Sequence, residues 1–73
     1  MNIYHKMFEI MCLLKELRKH CKSMIVINQI LEIQKKYFYN LAYNYPDEKK
    51  EIAWNLMMET GSHHESAKFL NII

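Results

Sequence analysis

SMIVINQILEIQKKYFYNLAYNY, residues 23–45, decides the fold. No glycine or proline interrupts it, and the whole chain of 73 residues has only one of each. Its start, Ile25-Val26-Ile27, is β-branched and suits a strand. The residues after it do not. Ile27, Ile30, Leu31, Phe38, Leu41 and Tyr45 recur at helical spacing, flanked by Val26, Ile33 and Tyr37. The spacing predicts a helix over 24–44 with an apolar face about 180° wide, broader than a surface helix needs. Ser23 is its predicted N-cap. Gln34 interrupts the apolar face. A lone polar side chain there either sets register in a helical assembly or reaches water through a gap in the packing.

Working outward, Ile3, Met7, Ile10, Met11, Leu14, Leu17 and Cys21 share one face of a predicted helix over 3–21. Phe8 and Cys12 lie off that face. Pro46 suits the first turn of a third helix over 47–60, with Asp47 and Glu48 at its positive end. Ile52, Ala53, Leu56 and Met57 are its expected inward residues, with Trp54 and Met58 on another side. Gly61 then reads as the residue that ends the helix in a left-handed conformation. Ser62 and Glu65 match a capping box for a short fourth helix over 63–71. Ala67, Leu70 and Ile73 are its expected inward residues. The expectation is one all-α domain over 1–73, a small bundle of three main helices and a short C-terminal one.

Size and charge set further bounds. A chain this short is near the limit at which one core sustains a fold, so self-association is expected. The formal charge of +2 does not by itself require a polyanionic partner. Cys12 and Cys21 on one helix stand about 13 Å apart along its axis, too far for a disulfide. Reduced thiols imply a cytoplasmic setting. Neither a secretory signal nor a membrane span is expected: Glu9 breaks the apolar stretch near the start, and no run reaches about 20 apolar residues.

Chemistry-bearing patterns are scarce. No nucleophile elbow, glycine-rich phosphate loop or zincin motif occurs, and no enzyme activity or cofactor is expected. Adjacent His63 and His64 point about 100° apart on a helix and cannot both hold one ion, so they read as a solvated first turn. Lys15, Arg18, Lys19 and Lys22 form a stripe suited to anions or nucleic acid. The segment 53–70 has helix-turn-helix outlines around Gly61. Together these support an alternative reading as a DNA-binding transcriptional regulator, although Ser62, His63, His64 and Lys68 make a poor reading head. Phe8, Tyr39, Tyr43, Trp54 and Met58 fall outside the main inward stripes, and aromatics are enriched where proteins meet. The leading expectation is a small non-enzymatic regulatory or adaptor protein. It would act by protein–protein binding through those five residues, as a homodimer.

Overall fold

The computed structural model describes residues 3–73. Four helices follow in order: α1 (Ile3–His20), α2 (Met24–Leu41), α3 (Asp47–Thr60) and α4 (His64–Phe69), with no strand among the described residues. The all-α class is therefore as the sequence predicts. Each boundary has a local cause. The Val26 N–H donates to the Ser23 hydroxyl at 3.4 Å, which starts α2. Pro46, with extended backbone, precedes α3, and Asp47 and Glu48 occupy the positive end of its dipole. Gly61 ends α3 at φ 67°, its N–H returning to the Met57 carbonyl at 3.0 Å.

Helices α2 and α4 differ most from expectation at their ends. Helix α2 stops at Leu41, three residues early, because Ala42 to Tyr45 fold into a turn closed by the Tyr45 N–H on the Ala42 carbonyl. The Tyr45 hydroxyl then donates to the Leu70 carbonyl at 3.3 Å and ties this turn to the C-terminus. Helix α4 is shorter than expected at both ends. The Ser62 hydroxyl accepts from the His64 N–H at 3.2 Å, and Glu65 pairs with Lys68, so the expected capping box does not form. At the far end Asn71 takes φ 60°. The Ile72 N–H bonds to the Ala67 carbonyl and the Asn71 N–H to the Lys68 carbonyl, a Schellman arrangement. That reversal turns Ile72 onto the core and leaves Ile73, the residue expected inside, exposed.

The core joins all four helices: Met7, Ile10, Met11 and Leu14 from α1, Phe38 from α2, Ala53, Trp54 and Met57 from α3, Ala67 from α4, with Ala42 and Leu70. The face predicted for α1 is the face buried. That of α3 is not. Trp54 is 5% exposed and packs on Phe38 with ring centroids 5.9 Å apart, whereas Ile52 is 42% exposed. The helix is rotated about 80° from the expected orientation. The reason is size: an indole loses more apolar surface to the core than an isoleucine does. Ser66 is fully buried and its hydroxyl has no hydrogen-bond partner among the described residues.

Candidate interaction surface

Three residues, 21–23, connect α1 to α2, which makes the pair an antiparallel hairpin. Its open side carries a groove of about 390 Å³ lined by Glu9, Ile10, Leu13, Ile33, Gln34 and Tyr37. Ile10 is its buried floor. Leu13 and Ile33 remain 50% and 61% exposed, and Val26 and Tyr37 are also exposed. On α2, Val26, Ile30, Ile33 and Tyr37 are spaced four, three and four apart, so they form one straight apolar ridge. The sequence placed Val26, Ile33 and Tyr37 at the edge of the inward face. In the fold, Ile27 and Phe38 take the inside position and this edge stays in water. The unusual width of the predicted face was the available signal. Gln34 is half-buried in the groove, at the gap between the two helices.

The five residues expected to meet a partner do not share a surface. Trp54 is in the core, as described, and is withdrawn from any interface of the folded chain. Met58 is half-buried against the core, its sulfur accepting from the Arg18 guanidinium at 3.8 Å. Tyr39 was expected to be exposed. It packs instead against the core, with the Lys35 and Lys50 ammonium groups 5.8 and 5.5 Å from its ring centre. Burial raises the pKa of its phenol, and the charges of Glu51 and Asp47 add to the rise. Tyr43 is 74% exposed, but in the turn after α2 rather than on a helix face. Phe8 is exposed on the seam between α1 and α4.

That seam corrects the reading of the histidine pair. His63 is half-buried, its ring 4.6 Å from that of Tyr4 and 5.2 Å from that of Phe8. Burial lowers its pKa first, and the charges of His64 and Lys15 lower it further. His64 alone is solvated. Among the described residues no group of three His, Cys, Asp or Glu side chains is placed to hold a metal ion.

Lys15, Arg18 and Lys19, late in α1, and Lys22, just beyond it, are all exposed, and none of the four forms an ion pair among the described residues. Helical geometry sets Lys15 and Arg18 on the α3/α4 side of α1, away from Leu13. The helix-turn-helix segment 53–70 has a six-residue second helix. Its first turn is packed on α1 through His63, and Ser66 and Ala67 are buried. Little of it projects as a reading head would.

Fold and surface together define a small all-α protein with an apolar groove between its first two helices. Compared with protein-family models, curated proteins and solved structures, the chain matches none. No helix among the described residues is long and apolar enough to cross a membrane.

Proposed function

We propose that this chain is a small non-enzymatic regulatory or adaptor protein that works by stoichiometric protein–protein binding as a homodimer. The observation that carries this reading is the apolar ridge on α2 beside Leu13, where Val26, Ile33 and Tyr37 stay in water. Leaving such a ridge exposed is unfavourable for a monomer, and covering it is what a partner would do. Its mechanism is occlusion or positioning: the assembled helix faces hold a target protein without chemical change to it. Sedimentation velocity across the micromolar range tests the reading, with a concentration-dependent shift from monomer to dimer as the expected result. A single monomeric species throughout would refute the homodimer.

The stripe Lys15, Arg18, Lys19 and Lys22, free of ion pairs among the described residues, favours one second reading, binding to duplex DNA. Four phosphate contacts give a slope of about −3.6 in log affinity against log salt. A titration showing no binding at low salt removes it.

A further inference from the structure

We infer that the groove between α1 and α2 is closed by the same groove of a second copy, with the two α2 helices packed antiparallel across a two-fold axis. This specifies the face of the homodimer proposed above and rests on that proposal. The first support is the self-complementary spacing of the ridge. Val26, Ile30, Ile33 and Tyr37 are symmetric about a point midway between Ile30 and Ile33. An antiparallel pairing about that point sets Val26 against the partner's Tyr37 and Ile30 against the partner's Ile33, twice each. Every ridge residue then meets an apolar one, as an isologous contact requires.

The second support comes from α1. Glu9 lines the Tyr37 end of the groove and Leu13 the Ile33 end. The two-fold axis therefore passes close to Leu13, which meets its own copy across it. This contact adds an apolar pair at the centre of the interface.

Area supplies the third argument. Leu13, Val26, Ile33 and Tyr37 together leave about 350 Å² of side chain in water, taking about 150–250 Å² for a full large side chain. An interface is about 57% apolar, which scales this to about 600 Å² per copy and about 1,200 Å² in all. That is the lower edge of specific interfaces.

Cross-linking tests the geometry. In a Cys12→Ser, Cys21→Ser background, Val26→Cys and Tyr37→Cys are made as separate proteins and oxidised alone and mixed. The mixture is expected to give a covalent dimer. Each protein alone is expected to give little, because identical positions lie about 16 Å apart along the axis. Equal cross-linking of the single proteins, or none in the mixture while sedimentation still shows a dimer, overturns this face and leaves the homodimer standing. A monomer by sedimentation overturns both. Ile33→Asp serves if the cysteine variants do not fold, since Ile33 is exposed in the single chain. It should keep the helical circular dichroism of the wild type and weaken the dimer at least tenfold. An unchanged dimer would overturn the proposal.

Discussion

The same chemical change, serine to alanine, should have opposite effects at two positions of this chain. Ser66 lies in α4 with its hydroxyl sealed in the core and without a hydrogen-bond partner among the described residues. An unpaired buried hydroxyl costs about 1–3 kcal/mol. Alanine removes that cost and adds about 0.5 kcal/mol of helix propensity. Against this stands a void the size of one oxygen, at most about 1 kcal/mol. Ser66→Ala should therefore stabilise the chain by about 1 kcal/mol and raise Tm by about 4–8 °C. Ser23 is exposed and caps α2 through the Val26 N–H. Ser23→Ala should cost about 1 kcal/mol and lower Tm by a similar amount. Urea denaturation followed by circular dichroism, at one fixed protein concentration, reads both variants. A Ser66→Ala protein destabilised by more than about 0.5 kcal/mol would refute the reasoning, because it would mean that the hydroxyl has a partner.

Trp54→Ala should cost about 3–5 kcal/mol, enough to unfold most of the chain, whereas Tyr43→Ala should leave the denaturation midpoint unchanged. Equal, small effects would return Trp54 to the surface. Gly61→Ala places a side chain at φ 67° with nothing within 4 Å of its Cβ, so the cost is backbone strain alone, about 1–2 kcal/mol, with Asn better tolerated than Ala. Stability should also depend on pH through His63. Its folded pKa is lowered by burial, so near neutrality and below the unfolded chain binds the proton more readily. The contribution is complete above the unfolded value of about 6.5 and is lost as pH falls below it. His63→Gln should flatten the slope of unfolding midpoint against pH between about 7.5 and 5.5; an unaltered slope would show that His63 is not the group responsible.

Much of the helix layout can be read from local chemistry. Ser23, Pro46 and Gly61 act through hydrogen bonds and backbone angles within a few residues, so sequence suffices to place them. The burial of Met7, Ile10, Met11 and Leu14 is equally legible, since α1 offers one apolar stripe and no rival to it. The ends that shifted depend on distant contacts. The turn from Ala42 to Tyr45 is anchored at Leu70, and the first turn of α4 is set by His63 against Tyr4 and Phe8. The groove was legible only as excess width on α2. Its position needed the location of α1.

By itself, the sequence determined four helices, most of their boundaries and the buried face of α1. It could not determine which side of α3 goes inside. Ile52, Ala53, Trp54, Leu56, Met57 and Met58 cover most of that helix's circumference, and a period of 3.6 fixes a face only when the apolar residues are confined to one. The choice was made by the tertiary structure, where Phe38 offers a surface that the Trp54 ring covers. The same rotation leaves Ile52 in water. On α2 an equally wide apolar face is divided in the same way: Ile27 and Phe38 are buried, whereas Ile33 stays in water. Burial is a competition among faces for one small interior, and its outcome depends on all four helices at once.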